Sequence, residues 1–239
     1  MRSRALLAAF VAAAFLLPAW AAKDKESAGD ASPVVATING EPVTKAEWSA
    51  IWKADQWHAE TVKKHFSDKM AGKPYEDYFF MEEVVKVRSM SQKYREDVPQ
   101  MKTAIEGIHQ KVKGGDDFVA LAKQYSQDTL SAADGGDLGL KEFHQLTFPF
   151  NRVAFSLKQG EVSDPVLTIF GYHVIKAEQV LPASPSEGKE KRVQVRHILI
   201  KFPSSNPRGE ADTLASQAKV EVQDKGLCKK LPSFCAPQG

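Results

Sequence analysis

The sequence predicts an α+β fold built on an antiparallel sheet, and three local patterns predict it. Gly135-Gly136-Asp137-Leu138-Gly139 reads as a tight turn opening a strand, since glycine alone reaches positive φ without steric cost. Gly171-Tyr172-His173-Val174-Ile175 is a β-prone apolar run interrupted by one imidazole, for which a core strand has no routine use. Between them, Phe148 to Leu157 spaces its aromatics as a helix does. A small domain whose sheet carries a histidine-lined apolar pocket accounts for all three.

From the N-terminus, residues 1–22 read as a secretory signal peptide. Arg2 and Arg4 are its basic start, Ala5 to Pro18 its apolar run and Ala19-Trp20-Ala21 its small-x-small cleavage pattern. The run is shorter than the roughly 20 residues that span a bilayer, so the expectation is cleavage near Ala21, a periplasmic or otherwise exported product and no membrane span in the mature chain. Loss of Arg2 and Arg4 takes the formal charge from +2 to zero, which gives no global reason to bind nucleic acid. Residues 23–32 are small and polar, a flexible leader.

Val34 to Thr44 predicts strand, Asn39-Gly40 turn and short strand, with Thr44 and Glu47 as a capping box for a helix carrying Trp48, Ile51, Trp52 and Trp57. Two or three helices are expected over 45–82, and a first sheet strand over Val85 to Ser91. A helix follows over Val98 to Lys113, closed by Gly114-Gly115, then another over Asp117 to Ser126. Leu181 to Gly188 has the composition of a linker. Beyond it, Val193 to Lys201 predicts a strand and Arg208 to Asp224 a helix. Cys228 and Cys235 lie outside any Cys-x-x-Cys motif, and in an oxidising compartment a disulfide between them would close a short loop.

The series from Phe118 to Ala177 resembles the parvulin family of peptidyl-prolyl cis/trans isomerases: the 117–126 helix, the Gly-Gly-Asp-Leu-Gly strand, the Phe-rich helix, Leu157 to Val166 and the Gly-Tyr-His strand. The opening strand-turn-helix is similar to the start of exported parvulin-type chaperones of the SurA and PrsA kind. The resemblance implies a four-stranded antiparallel sheet with surrounding helices, plus a small N-terminal helical chaperone-like module. The expected divisions are a leader and module over 23–82, a parvulin-like domain over 83–180, a linker over 181–192 and a tail over 193–239.

Isomerisation faces a barrier of about 18–20 kcal/mol from lost amide resonance, and a site lowers it by favouring the twisted amide over the planar forms. By resemblance, the proline ring rests on Leu146 and Phe150, four apart on one helical face, with Phe155 as a third wall. The polar floor falls to His173, which matches the family's second histidine, with Asp128 and Thr168, and the family's first histidine is expected on a neighbouring strand. Aligning Arg88 with the family's arginine puts Ser89 there. Arg196-His197-Ile198-Leu199 repeats the family's first-strand signature in the tail. Either a strand at 193–201 returns His197 to the missing place, as a circular permutation would, or the tail is the front of a truncated second unit; the usual strand order favours the latter.

No basic cluster for phosphorylated targets stands out, since Lys93 and Arg95 are offset by Glu96 and Asp97. The resemblance implies no cofactor and no metal, and its expected partners are unfolded or proline-containing exported polypeptides. A non-catalytic chaperone or assembly factor that uses the fold as a peptide-binding platform is the rival reading, and an envelope-complex subunit docked through 193–239 the third.

Overall fold

A computed structural model describes residues 32–46, 48, 75–184, 186 and 188–235. The leader peptide and the residues Ile51, Trp52 and Trp57 of the expected helix lie outside the described residues. Strands β1 (Val34–Ile38) and β2 (Glu41–Thr44) flank Asn39 and Gly40, whose φ values of 52° and 82° are the left-handed pair that a two-residue hairpin demands.

Helix α1 (Tyr75–Lys93) replaces the first strand expected at Val85 to Ser91. Val85 and Val87 alternate as a strand would, but the buried set Phe80, Met81, Val84 and Val85 follows the period of 3.6. The expected boundary at 83 therefore falls inside a helix. Helices α2 (Val98–Lys113) and α3 (Phe118–Tyr125) follow, the latter capped by the Asp117 carboxylate on the Ala120 N–H at 2.7 Å. Strand β3 (Asp137–Glu142), helix α4 (Phe150–Ser156), and strands β4 (Val166–Thr168), β5 (Gly171–Leu181) and β6 (Arg192–Lys201) complete the central region. Helix α5 (Pro207–Gln217), strand β7 (Val220–Val222) and helix α6 (Lys225–Lys230) form the rest of the tail.

The main sheet runs β3-β6-β5-β4, antiparallel throughout. Strand β6, drawn from the tail, is an interior strand, bonded to β5 from Leu181↔Arg192 to Gly171↔Lys201 and to β3 on its other edge. The presumed linker is the turn of this long hairpin, bridged at Ser184↔Lys189. The reading of 193–239 as a truncated second unit is thereby corrected: its strand fills the gap that the helical conformation of 85–91 leaves. Its helix is also shorter than expected, because Val220–Val222 pairs instead with β1 in a second sheet, β2-β1-β7. Cys228 and Cys235 are disulfide-bonded, with Cα atoms 5.6 Å apart.

Alternation along the strands sorts the core. Tyr172, Val174, Ile198 and Ile200 pack against α2 and α3, whereas Ile175, Ala177, Val193 and Val195 pack against α4. His173 and His197 keep the second register, so both rings emerge on the α4 face. Helix α1 joins β1, Val222 and Leu231 in a further apolar cluster. Its Lys93 and the Tyr94 hydroxyl both reach Glu210 of α5, tying the tail down.

Gly136 shows why β3 opens on paired glycines. Its φ is +75°, its carbonyl accepts the His197 N–H at 2.8 Å, and a Cβ there would sit 2.0 Å from the His197 carbonyl oxygen. Gly136→Ala is expected to cost about 1–3 kcal/mol of stability by urea unfolding, from positive-φ strain and displacement of β6. An unchanged midpoint would contradict this contact.

Candidate active site

Pairing of β5 with β6 sets His173 opposite Leu199 and His197 opposite Ile175. The two histidines are thus diagonal neighbours on one face, close enough for ring contact. Their rings stack with centroids 5.2 Å apart and Nδ1 atoms 3.0 Å apart, at 3% and 5% exposure.

Each ring's far nitrogen is engaged as well. His197 Nε2 lies 2.9 Å from Asp128 Oδ2 and 3.1 Å from Ser131 Oγ. His173 Nε2 lies 2.9 Å from Thr168 Oγ1, which accepts the Phe170 N–H at 3.0 Å. Asp128 sits in the turn after α3, where its Oδ1 accepts the Leu130 N–H and its Oδ2 the Ser131 hydroxyl at 2.6 Å. With both imidazoles neutral, one assignment satisfies the chain: Thr168 donates to His173, His173 Nδ1–H to His197, and His197 Nε2–H to Asp128.

The electrostatics agree with a neutral His173 and an ionised Asp128. Burial, followed by the neighbouring His197, pushes the His173 imidazole well below its ordinary range. The hydrogen bond from His197, aided by those from Ser131 and Leu130, holds the Asp128 carboxyl far below its ordinary value, against the opposing effect of its own burial.

Over this floor lies a cavity of about 280 Å³ whose lining includes Leu138, Leu146, Phe150, Phe170, Leu199 and Arg208. Phe150, at the first turn of α4, stands edge-on to both histidines, with centroids 5.2 Å from His173 and 5.7 Å from His197. Leu146 lines the cavity too, but precedes α4 in extended conformation and so shares no helical face with Phe150.

Phe155 is no wall of the cavity. Five residues along a helix turn it about 140° away from Phe150, and it packs edge-on against Phe143. Ser89 is likewise displaced from the site: it is buried in α1 at 3% exposure. His197 stands beside His173, in the place that aligning Arg88 had given to Ser89. Ser131, Phe170, Leu199 and Arg208 were missed by sequence reasoning. Only Ser131 left a signal there, by its three-residue spacing from Asp128 in the turn.

Elsewhere, Glu142, His144 and Glu190 bring potential ligand atoms within 4.8 Å of one another. All three are half-buried, and Glu142 and His144 already approach each other at 3.7 Å. No helix among the described residues is long and apolar enough to cross a membrane.

Residues 84–179 match the rotamase family, described as the PPIC-type PPIASE domain. The foldase protein PrsA of Geobacillus sp. (strain WCH70) is 39% identical over 130 residues, covering 54% of this chain and 47% of that protein. PrsA of Caldanaerobacter subterraneus subsp. tengcongensis is 41% identical over 141 residues, covering 58% and 43%. PrsA of Bacillus subtilis (strain 168) is 38% identical over 131 residues, covering 54% and 44%. The match thus spans about half the length of these relatives. The rotamase match holds Asp128, Thr168 and His173 and ends before His197.

Both depressed pKa values make acid destabilising. The unfolded chain protonates a free histidine near its ordinary 6.5 and a free aspartate near 3.8, while the folded site resists both. The contribution of His173 is present above pH 6.5 and fades as pH falls below it; that of Asp128 is present above about pH 4 and fades below. Urea unfolding from pH 8 to 3 is expected to show wild type losing its stability advantage over His173→Gln first and over Asp128→Asn later. Parallel pH profiles would contradict the assignment.

Proposed function

We propose that this chain, which carries a parvulin-type peptidyl-prolyl cis/trans isomerase domain, is an isomerase that assists folding of exported polypeptides, and that His173, His197, Asp128 and Thr168 form its catalytic floor beneath a proline-binding wall of Leu146 and Phe150. The observation that carries this reading is the closed hydrogen-bond chain under an apolar cavity. A planar amide is dipolar because its resonance separates charge; a twisted amide is less so. Water stabilises the dipolar planar forms, and a dry cavity removes that advantage. A floor whose imidazole nitrogens are already bonded to one another holds its shape without offering the ground-state amide strong new partners. The complex then favours the rotated amide relative to the planar one, which is what acceleration requires.

The basic-start, apolar leader of residues 1–22 supports export to the periplasm or cell surface. The foldase naming of the relatives supports unfolded, proline-containing clients. The rival non-catalytic reading drew on Ser89 in place of a histidine and on the short N-terminal helical module, and the first of these supports goes once His197 stands beside His173.

Cis/trans exchange of X–Pro peptides tests the reading. Wild type is expected to accelerate exchange, with His173→Ala and His197→Ala each losing about tenfold in kcat/KM, roughly 1.4 kcal/mol. Ser89→His is expected to give no gain. Exchange at the uncatalysed rate with wild type, or full activity in His197→Ala, would overturn the proposal.

A further inference from the structure

We propose that Arg208 makes the site select for a carboxylate-bearing residue next to the proline, an inference that rests on the isomerase reading. Arg208 lines the same cavity as His173, His197, Leu146 and Phe150, and it is the one arginine or lysine of that lining. Its guanidinium lies 5.0 Å from the centroid of the Phe170 ring, also part of the lining. A guanidinium held over an aromatic face keeps its planar N–H edge for a ligand.

The neighbouring carboxylates do not claim it. Asp128 is engaged by His197, Ser131 and Leu130, and Glu210 by Lys93 and Tyr94. Among the described residues Arg208 has no ion-pair partner. Nor does its position serve its own helix. Arg208 stands in the first turn of α5, where the positive end of the helix dipole disfavours a cation. An exposed cation, opposed by its helix, without an ion-pair partner and lining a cavity whose polar floor is already internally bonded, is suited to a negative charge on the bound segment. A lone arginine fork matches the two oxygens of a carboxylate.

The test uses four peptides, Ala-Glu-Pro-Phe, Ala-Gln-Pro-Phe, Ala-Pro-Glu-Phe and Ala-Pro-Gln-Phe, with affinity followed by NMR titration and turnover by exchange. Wild type is expected to favour glutamate over glutamine by about two- to fivefold in at least one position, the range of an exposed ion pair. The ratio should fall towards one in about 0.5 M salt and in Arg208→Gln. Arg208→Glu should instead reverse the preference, favouring glutamine over glutamate. A wild-type affinity ratio of one at both positions, or a ratio that survives Arg208→Gln, overturns the proposal. An affinity ratio that follows Arg208 without any turnover upholds this recognition and overturns the isomerase reading.

Discussion

Strand β6 is the constraint on which the molecule depends. It pairs with β5 along its full length and with β3 on the other edge, so the sheet has no continuous interior without it. Its side chains serve both faces: Ile198 and Ile200 close the core under α2 and α3, Val193 and Val195 the core under α4. Arg196 adds ion pairs to Asp137 on one neighbour at 3.2 Å and Glu178 on the other at 3.3 Å, half-exposed contacts that fix alignment more than they stabilise. Tail and body are therefore one cooperative unit, tied again at Glu210 and by β7 beside β1.

The same strand decides the chemistry. An imidazole brought to a buried face needs partners, and diagonal pairing gives each histidine the other. Asp128 and Thr168 then terminate the chain at opposite ends, one as anion and one as hydroxyl. Satisfied in this way, a polar floor survives beneath an apolar cavity; with one member removed, its neighbours would be buried without partners. A slip of β6 by one residue would turn His197 to the far face and leave Asp128 facing isoleucine or arginine.

Much of this was legible in the chain because much of it is local. The Asn39-Gly40 hairpin, the helix at Val98–Lys113 and the turn at Gly135-Gly136 follow from residue-level preferences. Asp128, Thr168 and His173 sit in short motifs that keep their meaning outside context. What failed was a matter of helical phase or of distant pairing. Val85 and Val87 look like a strand until the burial of Phe80, Met81 and Val84 shows a helix, and Phe155 looks like a wall until helical rotation turns it away. The place of His197 depends on a pairing between distant segments, and no periodicity within Val193 to Lys201 states which edge that strand will join.

The central claim is that the histidine pair is assembled from β5 and β6 and joined directly, Nδ1 to Nδ1. Nitrogen-15 NMR of the imidazoles in the intact chain tests it most directly. The account predicts His173 protonated at Nδ1 and His197 at Nε2, with a measurable coupling across the shared proton. Two rings of the same tautomer, or a His197 ring free of any coupling to His173, would contradict it.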